Sequence, residues 1–244
     1  MWSRLGLGAK PLELNVPAHG MTRTEAARLT ARAETALRER QLLVAADPAP
    51  SIAGRLNVLA KPEAQVDVRW ARGGGTPELR GLVAMRGKTA VLALWDGERV
   101  GLRGVKRDLA ADELVRELGA APAGAGRSVT TPADVVVRAS RHGDVERFQR
   151  GLVAGGVSRD DARVWRDVMT APRLRAGQLG ASGFDRWGKA ARVPWVIHVL
   201  DTERGRYATY ERGGYRTLVG VDTSQLVRLV RELYADAVRD RRNW

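Results

Sequence analysis

The stretch WVIHVLDTERGRYATY, Trp195–Tyr210, decides how the chain is to be read. It sets His198, Asp201 and Glu203 within six positions, as an acid–base site would, yet it also has the form of a hairpin. Trp195, Ile197 and Val199 alternate onto one side of an extended chain, and Val196 and Leu200 onto the other. Apolar residues on both sides predict a strand in a sheet covered on both faces. His198 falls on the second face between two aliphatic residues, with no positioned partner in sequence, and a general base needs one. Asp201 to Gly205 are the polar and glycine residues that turns favour. The hairpin reading prevails.

Working outward, runs of the same kind recur. After it come YRTLVGV (215–221) and a closing helix opened by Asp222 and Gln225; before it comes RLRAGQLGAS (173–182). Further back, helices are expected at 144–154 and from Ser158 to Thr170, and Thr131, Pro132 and Asp134 mark another helix start with proline at the first helical position. The first half reads alike. A strand is expected at PLELNV (11–16). Thr22 and Glu25 have capping-box spacing for a helix to Gln41, and a short helix spans 51–60. Strands follow at 65–71, 79–86, 89–95 and 99–105, then a helix capped by Asp108 and reaching Leu118.

Helices, four strands and one helix thus occur twice. The pentapeptide LVREL stands at Leu114–Leu118 and again at Leu229–Leu233, an offset of 115 that also lays GLVAM (81–85) on VIHVL (196–200) and ALW on ATY without gaps. The economical reading is two related halves, 1–122 and 123–244, in one intertwined unit with a flexible glycine-rich linker near 119–128.

Composition narrows the function. No apolar run approaches the ~20 residues that a membrane span needs, and MWSRLGLGAKPLELNV has no continuous apolar signal region, so a cytoplasmic protein is expected. With no cysteine there is no disulfide and no thiolate metal site. The net charge of +13 raises a nucleic-acid reading, but 19 basic and 14 acidic residues precede position 123 and 22 and 14 follow, so the excess is spread. Among the 41 basic residues only Lys10, Lys61, Lys88, Lys106 and Lys189 are lysine, a bias suggesting codon usage more than a binding footprint. The longest basic block is Arg239–Arg242, interrupted by Asp240.

No other constellation carries chemistry. His142, Asp144 and Glu146 read as a helix start with acids in its first turn, where the helix dipole favours them. His19 lies in a PAHG loop without a nearby carboxylate, and Ser182 lacks a nucleophile-elbow pattern. Neither a P-loop nor a GxGxxG fingerprint occurs. An enzyme is not expected, nor any cofactor or metal.

Read in order, LGLGAKPLELNVPAHGMTRTEAARLTARAETALRERQLL, VLAKPEAQVDVRWA, RGLVAMRGKTAVLALWDGERVGLR, GRSVTTPAD, RAGQLGASGFDRWGKAARVPWVIHVLDTERGRYATY and YRTLVGVDTSQLVRLVREL resemble the EspG family of ESX secretion-associated proteins, from about Leu5 to Leu233. The resemblance implies an α+β fold: a central antiparallel sheet built from two pseudo-two-fold related halves and flanked by helices. It also implies a helix ahead of the LGLG segment, which here begins four residues after the start of the chain. The implied function is a cytosolic chaperone of a type VII secretion system that binds the apolar helical tip of a PPE-like protein in a PE–PPE-like heterodimer.

Such a partner needs an apolar landing surface with a polar rim, and tryptophan and arginine are its usual anchors. The region from Arg173 to Trp195 offers Leu174, Leu179, Phe184, Trp187 and Trp195 among Arg175, Gln178, Arg186 and Arg192. Trp195 and Leu179 also suit the core, and Phe184 and Trp187 suit a long loop, GASGFDRWGKAAR, expected to be mobile. Self-association through the same surface is expected when no partner is present. Two other classes stay open: a nucleic-acid binder using FDRWGK and nearby arginines, and an enzyme joining His198 to a carboxylate.

Overall fold

The computed structural model describes residues 1–16, 22–141 and 143–240. His19, His142, Arg241 and Arg242, weighed above, lie outside the described residues. A two-stranded ribbon, β1 (Leu43–Val44) and β2 (Asp47–Pro48), separates helix α1 (Arg23–Glu39) from α2 (Pro50–Ala60). The first meander follows as β3 (Ala64–Ala71), β4 (Leu79–Arg86), β5 (Thr89–Trp95) and β6 (Val100–Lys106), closed by α3 (Ala110–Arg116). After β7 (Val129–Pro132) come α4 (Ala133–Ser140), α5 (Val145–Ala154) and α6 (Arg159–Thr170). The second meander is β8 (Arg175–Phe184), β9 (Ala190–Arg192), β10 (Ile197–Thr202), β11 (Gly205–Arg212) and β12 (Tyr215–Gly220), closed by α7 (Thr223–Asp240).

All strands except the β1–β2 ribbon join one antiparallel sheet in the order β6-β5-β4-β3-β8-β10-β11-β12-β7, with β9 on the end of β8. The two meanders meet where β3 pairs with β8. Their register defines a local two-fold axis through the Val68–Leu179 pair: Val66 opposes Val83 in the first half as Gly177 opposes Val199 in the second. Likewise Val83–Leu92 and Leu92–Arg103 are matched by Val199–Ala208 and Ala208–Val219. The strand offset is therefore 116, with Val83 falling on Val199, and the gapless alignment at 115 is corrected by one residue. The difference is physical. A slip of one position would turn every core side chain of the second meander to the opposite face. The offset of 115 holds for LVREL because the connection from the last strand to the helix is one residue shorter in the second half, from Val100–Lys106 to α3 and from β12 to α7.

On the front face α3 and α7 lie side by side over Val66, Val68, Trp70, Val83, Leu179, Ile197 and Val199, and the two LVREL copies supply Leu114, Leu118, Val230 and Leu233 to this core. Among the described residues the back face is covered in two places. Leu14 and α2 (Ile52, Leu56, Leu59) cover Leu82, Ala84, Val91 and Ala93. The α4–α6 layer covers Leu200, Tyr207 and Leu218.

Several expectations are corrected. PLELNV is not a strand: Leu12–Leu14 forms a single 3-10 turn that drops Leu14 onto β4 and β5, whose own edges are already paired. Asp108 lies within a 3-10 turn and does not cap α3, which starts after Leu109. Thr131 and Pro132 end strand β7, which zips onto β12, and the buried Thr131 hydroxyl accepts a hydrogen bond from Trp165 Nε1 at 3.0 Å. The stretch expected to be a flexible linker is tied to β11: Gly124 N–H donates to the Arg206 carbonyl at 2.7 Å, and Arg206 N–H to the Pro122 carbonyl at 2.8 Å. Gly205 permits this approach, since a Cβ there would stand 2.6 Å from the Ala123 carbonyl oxygen. GASGFDRWGKAAR is a tight β8–β9 hairpin whose turn is held by Asp185 Oδ1, which accepts the N–H groups of Trp187 and Lys189 at 2.8 Å each.

Candidate partner-binding face

Strand β10 is covered on both faces at its C-terminal end, where Leu200 lies under α4–α6, but on the front face alone at its start. Ile197 and Val199 are buried in the front core, but on the other side His198 is exposed and Val196 half-buried. The two-fold relation shows why. The equivalent of His198 is Leu82, which lies fully buried beneath Leu14 and α2. In the second half the helical layer sits further out, on β7, β11 and β12, so the back of β3, β8 and β10 is left between the two layers.

This open floor is polar. One row of paired residues crosses it from Thr209 through His198 and Gln178 to Arg69 and Arg80. Arg69 Nη2 donates to Glu78 at 3.0 Å, and the Arg80 guanidinium lies 4.0 Å from the Trp95 ring. In the next row Arg192 reaches across Gly180 to hold the buried Asp67 carboxylate with both terminal nitrogens, one at 3.0 Å. Gly180 is required for this crossing, since a Cβ would overlap the guanidinium. Glu13 closes this end of the floor. Desolvation raises its pKa, and the Asp67 charge adds to the shift. The His198 pKa is lowered from its ordinary value, first by desolvation and then by the Arg216 charge. At the opposite end of β8, beside the C-terminus of α6, Leu174 (50% exposed) and Met169 (38%) present apolar surface, and the Gly73 turn abuts the Leu174 carbonyl.

The sequence-chosen residues are distributed over this frame. Leu174, Gln178 and Arg192 border or form the open floor, and Phe184, on the same side of β8, lies at its far end. Arg186 and Trp187 occupy the β8–β9 turn, stacked on each other at 3.9 Å with Trp187 74% exposed. Arg175 faces the other way, pairing with Asp201 at 2.7 Å and donating to the Leu118 and Ala120 carbonyls. Trp195 is buried in the front core; its Nε1 donates to Asp236 at 2.9 Å, and the Arg212 guanidinium lies 4.6 Å from its ring. Leu179 likewise fills the front core. Across ten residues of β8, at ~3.3 Å each, the two ends of the set are ~30 Å apart. Sequence reasoning passed over Val196, His198 and Arg69 as partner contacts. The alternation of β10 placed His198 on the second face correctly, but nothing in the local pattern says that this face lacks a cover.

A cavity of about 460 Å³ opens beside His198, lined also by Trp195, Thr209, Glu211, Arg216 and Asp236. Its carboxylates are committed, Glu211 to Arg216 at 2.8 Å and Asp236 to Trp195 and Arg212. Among the described residues no group of three or more His, Cys, Asp or Glu side chains could hold a metal ion, and no helix is long and apolar enough to cross a membrane.

Comparison with known proteins agrees with this architecture. No curated protein sequence matches the chain. Among solved structures, it resembles the Mycobacterium tuberculosis type VII secretion system chaperone EspG5, solved in complex with a PE25–PPE41 dimer, with a TM-score of 0.69 and 19% identity over 85% of each chain. The EspG family profile matches residues 1–232, and the chain belongs to the EspG family.

Proposed function

We propose that the protein is a chaperone of a type VII secretion system that holds a helical, PE–PPE-like heterodimer by its apolar tip. Family membership and the likeness to a chaperone bound to a PE–PPE dimer support the class of partner. The observation that carries the site is the uncovered back of β3, β8 and β10, a rigid floor between two helical layers. Gln178, His198, Arg69 and Arg192 supply polar groups that fix register, and Leu174, Met169 and Val196 supply apolar contact. Groups fixed on strands lose little freedom on binding, which favours affinity.

Coexpression with the PE–PPE-like pair of the same genome tests this. A stoichiometric complex is expected, and Q178A/H198A with L174D should abolish it while leaving the melting temperature near wild type. Retention of the complex by this triple variant would overturn the assignment of the face; failure of any helical secretion substrate to copurify would overturn the chaperone reading.

A further inference from the structure

The five lysines, scattered in sequence, meet at one end of the sheet. A cavity of about 820 Å³ there is lined by Lys10, Lys61, Arg86 and Arg186, together with Trp187 and Gly188. Lys189 follows Gly188 in the same β8–β9 turn. Lys88, two residues beyond Arg86 in the β4–β5 turn, lines the adjoining cavity with Lys106 and Arg107. Arg107 bridges the two cavities by pairing with Glu63 at 3.6 Å and bonding the Gly87 carbonyl. All five ammonium groups belong to exposed residues. The carboxylates lining the two cavities are Glu63, Asp108 and Asp185, with Glu13 next to Leu12, and Asp185 is occupied by its own turn.

The two most exposed large hydrophobic residues among those described stand at the same place: Leu12, 77% exposed, next to Pro11 in the cavity wall, and Trp187, 74% exposed, at the hairpin tip. Neither contributes to a core cluster.

We propose that this end of the sheet is a docking surface for an anionic phospholipid bilayer. Three features select that occupant. Lysines near an anionic lipid surface contribute ~1 kcal/mol each without needing any fixed contact geometry. Tryptophan sits well at the headgroup level, with an apolar ring and a polar N–H, and an exposed aliphatic side chain adds burial beside it. Phosphate recognition on nucleic acid favours the arginine fork and aromatic stacking platforms. Here a chain otherwise rich in arginine brings all its lysines to one face, and the second protruding residue is a leucine. Adsorption is peripheral: Lys10, Lys61, Lys88, Lys106 and Lys189 ring the headgroups, and Trp187 and Leu12 enter the interface. The inference rests on this charge distribution and not on the chaperone reading, so either can fail alone.

The test is cosedimentation of the full chain with phosphatidylcholine vesicles, plain or carrying about one-third phosphatidylglycerol. Binding is expected only to the anionic vesicles, weakening as salt rises. Each Lys→Gln change on this face should lower partitioning about fivefold, the equivalent of about 1 kcal/mol, and W187A should lower it further at fixed charge. R150Q/R163Q, which removes two charges from the distant α5–α6 layer, should have little effect where K61Q/K88Q, the same charge change on this face, lowers partitioning about 25-fold. Equal losses from both sets would show attraction by net charge alone and overturn the assignment of the face. Absence of binding to anionic vesicles would overturn the proposal, as would a lysine-dependent preference for duplex DNA over vesicles.

Discussion

Arg206 and Asp201 face each other across the β10–β11 hairpin as a buried ion pair, Nε to Oδ1 at 2.7 Å, with the arginine side chain fully shielded from solvent. The same guanidinium donates to the Gly119 carbonyl at 3.0 Å and the Leu118 carbonyl at 3.3 Å, beyond the end of α3. One ion pair therefore fastens the second meander to the stretch that leaves the first. Replacing Asp201 by Asn strands a buried guanidinium and should cost about 3–5 kcal/mol in urea unfolding. Arg175→Gln should cost clearly less, because Arg175 keeps contact with water and its loss leaves Asp201 paired to Arg206.

The glycines of the central seam differ in what they allow. A Cβ at Gly177 would overlap the backbone carbonyl of Arg69 on β3, which cannot move without parting the two meanders. At Gly180 the obstacle is the far end of the Arg192 side chain. Gly177→Ala should destabilise by about 1–3 kcal/mol as overpacking. Gly180→Ala should destabilise less, since the arginine can swing aside, but it should weaken partner binding by disordering the floor at Asp67. Unfolding curves and complex titration separate the two.

Acid should loosen the helix starts. The Asp144 carboxylate accepts from the N–H groups of Glu146 and Arg147, and Asp222 from Gln225 N–H and the Ser224 hydroxyl; these bonds hold both pKa values below the ordinary carboxylate range. With folded values depressed, the stabilisation is complete above about pH 3.9, the unfolded value, and is lost as pH falls through the lower folded values. The melting temperature should therefore drop less between pH 6 and pH 3 in D144N/D222N than in wild type. The hydroxyl of Ser158 caps α6 without itself titrating, accepting from Asp161 N–H at 3.0 Å and donating to the Asp161 carboxylate at 2.8 Å. Ser158→Ala should cost about 1 kcal/mol near neutral pH.

His198 should make partner binding sensitive to pH. Its folded pKa lies below that of a free imidazole, so folding favours the neutral ring; this contribution is full above about pH 6.5 and declines as pH falls through the folded value. A partner covering the ring desolvates it further, beside the fixed charge of Arg216. Affinity should fall between pH 7.5 and 5.5 in wild type and stay flat in H198N, as isothermal titration would show.

The strands and most helix ends were legible because their signals are local. Alternating residues and glycine turns gave β4 and β5 with their observed ends, and Ser158, Asp144 and the Asp222–Gln225 pair cap the helices expected of them. Strand β7 and the small β9 were missed because each exists only by zipping onto a neighbour, and PLELNV misled because period-two alternation does not reveal whether an edge is free to pair with it.

The sequence by itself determined the doubled meander and the alternation of each strand, since period and turn chemistry are carried within a few residues. Tertiary structure alone decided which faces were covered. Leu82 and His198 hold equivalent places in the two halves, yet α2 lies over one and, among the described residues, no helix lies over the other. It also gathered five lysines from distant positions onto one end of the sheet. Cover and clustering depend on where distant segments come to rest, which no local pattern encodes.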